Sequence, residues 1–438
     1  MGGPLQIEGN GLYLDRYWRE ERMLAADLRA LMAVPSPPVD TAGLERFDDA
    51  KQRLAAETAL RRRFAVIAGG PGTGKTTTVA RIVALLLERE PATLIALAAP
   101  TAVAAARLAD AMRLAGIEGV EARTLHRLLG WRPDTHSRFR HDRGNRLPYD
   151  VVIVDETSMV GLWQMARLVE AVRPGARLIL VGDPGQLTSI EAGAVLGDIA
   201  AAGGDAIVTL DEVYRYDASI GRVAEAIRRG DGDATVSALA GVTWVEDDAI
   251  VRERAVATAR EVTAAAEAGD GSRAINALGS FRLLCAHRRG PYGVSTWTAR
   301  IEDWTGAGGA EWYAGRPLLV TANDYGLQLF NGDTGVVIAG EAGLTAAFER
   351  VELSPTRLAN VETVYAMTVH KAQGSQFATA AVVLPEPTSP ILTRELLYTA
   401  VTRARKELIV VGSEESVRAA VARPVARASG LRGLLARD

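Results

Sequence analysis

Four short apolar runs that do not alternate with polar residues constrain this chain most: FAVIA (64–68), TLIAL (93–97), VVIV (151–154) and LILV (178–181). A strand that is apolar on both faces has to be covered on both, which places it in a parallel sheet between two layers of helices. Each run is followed by a turn and a helical pattern, the order expected of strands joined by crossover helices. A second set follows: FRLLCA (281–286), RPLLVTA (316–322), TVYAMTV (363–369), TAAVVLP (379–385) and ELIVVG (407–412). The two sets predict two similar α/β lobes with parallel sheets, separated by Ala-rich helical sequence over about 218–275. NGDTGVVIAG (331–340) reads instead as a turn and a small β element inserted in the second lobe. At 438 residues the chain has room for about three domains of roughly 150 residues.

Ahead of the first set, Tyr17, Leu24, Leu28 and Leu31 recur at helical spacing and predict an amphipathic helix over 12–32. Pro35, Pro37 and Pro38 end it and begin a linker. The division expected is a helical segment and linker (1–48), a first lobe (49–205), a second lobe (206–415) and a C-terminal helix or tail (416–438).

Composition excludes several classes. With 48% hydrophobic and 24% charged residues, the chain is neither largely disordered nor an integral membrane protein. Its longest uncharged stretch, 91–106, carries two prolines and falls short of the roughly 18 apolar residues that a membrane helix needs. A single cysteine, Cys285, rules out an intrachain disulfide framework and a thiolate metal cluster. No secretory pattern is visible at MGGPLQIEGNG, so the expected location is the cytoplasm. The net charge of −3 gives no global basic field. Only four of the 50 basic residues are lysines, Lys51, Lys75, Lys371 and Lys406, so each merits inspection.

Lys75 stands in GGPGTGKT (69–76), which fits G-x-x-x-x-G-K-[ST], follows an apolar run and opens a helical pattern. Gly70, Pro71, Gly72, Thr73 and Gly74 form a loop whose amides can turn inward onto phosphate oxygens, with the helix N-terminus behind them. Lys75 brings a cation to the β- and γ-phosphates of ATP, the Thr76 hydroxyl a ligand for Mg²⁺, and Thr77 continues the cradle. In VVIVDET (151–157), Asp155 and Glu156 follow a buried strand, where two adjacent carboxylates are costly without a cation. Asp155 suits Mg²⁺ coordination through water and Glu156 a general base for the attacking water; a solvated strand end is the competing reading. In LVGDPGQL (180–187), Gln186 can orient that water or sense the γ-phosphate, although GDPG is also an ordinary turn. Arg215 in VYRYD and Arg403 in YTAVTRAR can neutralise charge on a transferred phosphoryl group, but arginines at such positions are equally common as surface residues.

The order of the motifs supplies what each lacks. The P-loop, APTAVAAARL, TLHRLLG, DE, GDPGQ, YR, TVHKAQGSQF and LLYTAVTRAR follow one another, and in this order the chain resembles superfamily-1 helicases. It is most similar to the RecD family, the alpha subunit of exodeoxyribonuclease V. The resemblance runs from about 12 to 412 and includes RRGPYGV and LFNGDTG. It implies an ATP-dependent DNA helicase with 5′→3′ polarity, two RecA-like lobes with ATP in the cleft, and a role in recombinational double-strand-break repair. It places Gln373 and Gly374 near the γ-phosphate and Gln52 on adenine, whose N6 and N7 a glutamine amide can satisfy together. It also implies an SH3-like insertion at about 331–362 and a duplex-splitting pin at about 132–149, where five arginines face two aspartates, Arg138 and Arg140 among them. Single-stranded DNA is expected against Thr101, Thr124, His126, Thr368 and His370; each of these side chains serves as well as a cap or a filler. The partners implied are single-stranded DNA, duplex junctions, and RecB-like and RecC-like subunits.

Three departures stand out. Ala102 and Val103 follow Thr101 where relatives carry Gly-Lys, which removes a cation from the DNA track. Gln376 stands where relatives often have an acid, which puts a ribose contact in doubt. A larger partner-docking domain precedes the helix and linker in many relatives, so 1–48 is read as its remnant. Two other classes compete: an accessory DNA-binding subunit without ATP turnover, and a P-loop NTPase acting on a small molecule. The intact Lys75, Glu156 and Arg403 speak against the first; the second leaves VHKAQGSQF and TRAR unexplained.

Overall fold

A computed structural model of the chain describes all residues except 1–3, 9–10, 35–39, 133–138, 190–192, 214–216, 308–309, 325, 342, 426–427 and 437–438. The chain divides into two units: Met1–Tyr214 with Ala426–Asp438, and Arg215–Val425.

The first unit is built on a six-stranded sheet in the order Ala122–Thr124, Ile95–Ala99, Val151–Val154, Arg177–Gly182, Phe64–Gly69, Ile207–Leu210. All its pairings are parallel. Phe64, Val66 and Ala68 face one core, with Val152, Val154 and Leu180, while Ala65 and Ile67 face another, with Val79, Val83 and Leu108. This two-sided burial is the reason the runs lack alternation. Ala122–Thr124 and Ile207–Leu210, which carry no unbroken apolar run, are the short edge strands.

The helix predicted over 12–32 is Asp15–Ala33, entered through an antiparallel hairpin of Leu5–Glu8 and Gly11–Leu14. It packs on Leu162–Ala171 and on the C-terminal helix Leu431–Leu435. Leu24, Leu28 and Leu431 are fully buried, and burial of a leucine is worth about 1.5–3 kcal/mol. The N-terminal segment and the chain end thus belong to one core.

The second unit contains two sheets. One is parallel, in the order Ala366–Thr368, Phe281–Cys285, Phe377–Val383, Ala404–Val411, Thr243–Val245. The other is antiparallel, in the order Glu352–Leu353, Gly343–Phe348, Thr334–Gly340, Pro317–Val320, Val361–Thr363. The small β element is therefore wider than 331–362, and RPLLVTA is not a parallel strand. It misled because both of its sheet's faces are covered. Leu318, Val320, Val337 and Phe348 form one cluster, and Val336, Ile338 and Ala347 pack on Val262, Ala266 and Leu278 of the helices Ala249–Glu267 and Gly271–Leu278. TVYAMTV likewise splits, Thr363 ending the antiparallel strand and Ala366–Thr368 joining the parallel one. The Ala-rich region is helical as predicted, with the edge strand Thr243–Val245 set into it. In the pin region, 133–138, including Arg138, lies outside the described residues; Trp131 and Phe139 on either side form an antiparallel bridge.

Candidate functional site: a phosphate loop and a buried acid pair

In a parallel sheet every strand's carboxyl end lies on one edge, where loops can converge on a ligand. Strand Phe64–Gly69 delivers the glycine loop to that edge of the first unit. Gly72 and Gly74 take φ of 83° and 79°, a region that penalises side chains, and helix Lys75–Arg89 begins directly after them. A Cβ on Gly69 would lie 2.7 Å from Thr73 Oγ1 and 3.0 Å from the Leu210 carbonyl oxygen, so the loop also needs a glycine there for close packing. Lys75 Nζ donates to the carbonyl oxygens of Gly69 at 2.6 Å and Gly70 at 2.8 Å. The ammonium is thus held over the loop by two neutral acceptors, which an anionic phosphate would outcompete.

Strand Val151–Val154 brings Asp155 and Glu156 to the same edge. Asp155 Oδ2 accepts the Thr76 hydroxyl at 3.3 Å, and its Oδ1 accepts the Glu156 amide at 2.8 Å. Burial, and then the neighbouring Glu156 charge, push the Asp155 carboxyl above the ordinary carboxylate range, while Lys75 pulls it back. Glu156 has φ 52° and ψ 38°, a left-handed conformation that is strained for a side-chain-bearing residue and is commonest at functional sites. The Thr157 hydroxyl donates to the Val181 carbonyl oxygen at 2.8 Å, tying this turn to the next strand.

That strand, Arg177–Gly182, ends in the turn that carries Gln186. Gln186 is buried, and its Nε2 donates to Asp183 Oδ2 at 3.1 Å. Asp183 Oδ1 accepts the Gly185 amide at 2.9 Å. Asp183 and Thr157 are additions that only the fold reveals; the one signal for Asp183 in the sequence is an aspartate heading a turn three residues before a candidate glutamine. Gln52, on helix Ala50–Arg61 capped by Asp49, is buried beside the loop, its Nε2 3.5 Å from the Thr73 carbonyl oxygen.

The residues present fit a hydrated divalent cation: a hydroxyl and a carboxylate at 3.3 Å, with a second acid adjacent, form a hard oxygen donor set.

The candidate DNA contacts also have local work. Thr101 and Thr124 lie at the ends of neighbouring strands and cap helices, their hydroxyl oxygens accepting the amides of Ala104 at 3.2 Å and Arg127 at 3.3 Å. Capping engages a lone pair and leaves the hydroxyl proton to be donated elsewhere. His126 Nδ1 lies 3.3 Å from Gln164 Nε2, a partner absent from the sequence reading, and its ring meets Trp131 edge-on with centroids 5.7 Å apart. Arg140 is exposed, and its amide donates to the Gly130 carbonyl oxygen.

In the second unit, Thr368 ends its strand and accepts the Lys371 amide at 3.2 Å, with His370 between them. The chain then passes Gln373 and Gly374 to Ser375, just ahead of strand Phe377–Val383. Arg403 stands just ahead of strand Ala404–Val411, fully buried, with Nε on the Thr399 carbonyl oxygen at 3.0 Å and Nη1 on that of Ser375 at 3.1 Å. The fold thereby joins Arg403 to the 373–375 segment, which the sequence keeps apart. Arg215 lies outside the described residues.

Comparison with known proteins gives the family. Residues 48–249 match the family model described as an AAA domain, and 363–411 that of the UvrD-like helicase C-terminal domain. The chain is 50% identical over 464 aligned positions to the RecBCD enzyme subunit RecD of Mycolicibacterium smegmatis, covering 99% of this chain and 84% of that protein. It is 36% identical to the ATP-dependent RecD2 DNA helicase of Deinococcus radiodurans, over 94% of this chain and 56% of that protein. A crystal structure of Bacteroides Pif1 bound to ssDNA shares the fold, with a TM-score of 0.52 at 17% identity over 84% of this chain and 94% of that one. The chain belongs to the RecD family.

Proposed function

We infer that the chain is an ATP-dependent DNA helicase. The observation that carries this reading is the first unit's edge, where the Lys75 loop, the Thr76–Asp155 contact and the strained Glu156 meet, in a chain of the RecD family. Within that reading, Lys75 and the loop amides bind the phosphates, and Gln52 faces the adenine. Thr76, and Asp155 through water, would hold Mg²⁺, which would supply positive charge on the phosphate oxygens. Glu156 takes the proton of the attacking water, and Gln186, oriented by Asp183, positions that water. Arg403 and Arg215 neutralise the charge that develops on the transferred phosphoryl group, and Gln373 and Gly374 respond to the γ-phosphate. Thr101, Thr124, His126, Arg138, Arg140, Thr368 and His370 hold a single strand through phosphate and stacking contacts that do not read sequence.

We further propose 5′→3′ movement, service in double-strand-break repair at duplex junctions beside RecB-like and RecC-like subunits, and location in the cytoplasm. Among the described residues no helix is long and apolar enough to cross a membrane. Strand displacement on duplexes with a 5′ or a 3′ tail, with and without ATP, tests activity and polarity together. Unwinding only from the 5′ tail and only with ATP is expected. ATP hydrolysis that single-stranded DNA does not accelerate, in a demonstrably folded chain, would overturn the motor.

A further inference from the structure

Lys371, one of the chain's four lysines, and Arg288, in the RRGPYGV segment, meet on a single acid. Strands Phe281–Cys285 and Ala366–Thr368 run side by side and parallel, with Cys285 opposite Thr368, so the loops that follow them leave from one edge of the second unit's sheet. From those loops Lys371 Nζ donates to Glu362 Oε2 at 3.0 Å, and Arg288 Nη2 lies 3.6 Å from Glu362 Oε1. Glu362 belongs to the other sheet, on its edge strand Val361–Thr363. The Arg288 side chain is 73% exposed and that of Glu362 50%. Ion pairs this open to solvent add little to stability, so the pairing is easily broken. Arg289, next in the loop, is exposed and has no ion-pair partner among the described residues.

The loop that carries the two arginines is itself held in place. His287 Nε2 lies 2.9 Å from Ser389 Oγ, and the Tyr292 hydroxyl donates to Glu386 at 2.6 Å, which ties both ends of the loop to the segment after strand Phe377–Val383. The carbonyl oxygens of His287, Arg288 and Gly290 accept the amides of Val294 and Ser295 and the Thr296 hydroxyl. With the helix's first amides so engaged, what this loop offers an anion is side-chain charge. Lys371 is fixed in a similar way, its amide donating to the Thr368 hydroxyl oxygen at 3.2 Å. Three cations thus stand on a preorganised edge beside Thr368 and His370, and the acid that meets two of them comes from the neighbouring sheet.

We propose that Glu362 stands in for a phosphate of single-stranded DNA. In the free chain it holds Arg288 and Lys371; a DNA phosphate displaces it, and Arg288, Arg289 and Lys371 then extend the track of Thr368 and His370. Glu362 thereby sets how tightly the strand is gripped. Because it lies on the antiparallel sheet and its two cations on loops of the parallel one, its displacement also unfastens a tie between the sheets. The proposal rests on the reading of the chain as a DNA helicase.

The test measures binding of a fluorescent oligothymidine to the full chain by anisotropy, without nucleotide. None of the substituted side chains is buried, and a melting curve verifies that each variant is folded. Glu362→Gln should tighten binding by about 3–10-fold at low salt, a gain that shrinks as salt rises. Arg288→Ala and Lys371→Ala should each reduce the slope of log affinity against log salt by about 0.7, the loss of one phosphate contact. In the Arg288→Ala/Lys371→Ala background the gain from Glu362→Gln should vanish. A gain that persists there reflects general charge and overturns the proposal, as does unchanged or weaker binding in Glu362→Gln when the wild-type chain binds. A wild-type chain that does not bind the oligonucleotide overturns the helicase reading and this proposal with it.

Discussion

In the first unit, strand Phe64–Gly69 runs through residues 70–74 into helix Lys75–Arg89; in the second, strand Phe281–Cys285 runs through residues 286–293 into helix Val294–Thr305. The two are the same strand–loop–helix step in two parallel sheets, with opposite hydrogen-bonding economies. In the second loop the carbonyl oxygens of His287 and Arg288 accept the amides of Val294 at 3.0 Å and Ser295 at 3.1 Å, so the helix's first donors are spent on its own loop. In the first, the loop carbonyls are held by the Lys75 ammonium, which a phosphate can draw away. A second contrast concerns direction. The first unit gathers its nucleotide candidates at the carboxyl ends of strands, whereas Ser375 and Arg403 of the second immediately precede the strands they serve. Topology alone therefore does not make a candidate nucleotide-phosphate site; the first unit adds a loop of glycines ending in a lysine held only by neutral carbonyl oxygens.

The largest expected effect removes that cation. Lys75→Ala should lower DNA-stimulated ATP hydrolysis by about 10²–10³-fold, measured as steady-state phosphate release; a rate within a few-fold of wild type would erase the contrast between the loops. Arg403→Lys keeps the charge but loses the planar fork that spans the Thr399 and Ser375 carbonyls. It should cost about 10–100-fold in kcat with nucleotide affinity little changed, and an affinity loss without a kcat loss would move Arg403 from turnover to binding. Gly335→Ala sharpens the comparison by energy. Its Cβ would lie 2.5 Å from the Ala347 carbonyl oxygen, and the variant should destabilise the second unit by about 1–3 kcal/mol. Hydrogen exchange should then accelerate in Thr334–Gly340 but not in Phe64–Gly69; equal acceleration would mean that the units open as one.

The smallest effect tests how the chain end is held in the first unit. Glu21 is buried, accepts the Ser429 hydroxyl at 3.0 Å and the Gly430 amide at 2.9 Å, and has its pKa raised, first by burial and further by Asp198 and Glu8. Because the folded state favours its protonated form, its contribution is fully present below the ordinary carboxylate pKa and is lost as pH rises through the raised value. Glu21→Gln should be stabilising or neutral, within about 1 kcal/mol at neutral pH, and should flatten that dependence in denaturant melts. A steeper dependence in the variant would assign it to another group, with Asp198 the nearest candidate.

Legibility followed burial and locality. Central strands such as Val151–Val154 are covered on both sides and show it as unbroken apolar runs; the edge strand Ala122–Thr124 is half-covered and short, and leaves no comparable trace. Pro317–Val320 shows the limit of that signal, since helices on one face and a private cluster on the other give an antiparallel strand the same appearance. The glycine loop and the acid pair were legible because each lies within a few consecutive residues. Asp183 holding Gln186, and Gln164 meeting His126, were not, because polar residues carry no periodic signature and their partners are set by packing.

The sequence by itself determined the repeated strand-and-helix theme, the phosphate loop with its lysine, and the adjacent acids, since these depend on local backbone geometry and on neighbours along the chain. Only the tertiary structure decided that Thr76 meets Asp155 across 79 positions, that Arg403 is fastened to Ser375, and that Arg282 is buried against the carbonyl oxygens of Val364 and Leu278. Those are consequences of strand order and burial, and charges far apart along a chain acquire an interaction only when folding removes the water between them.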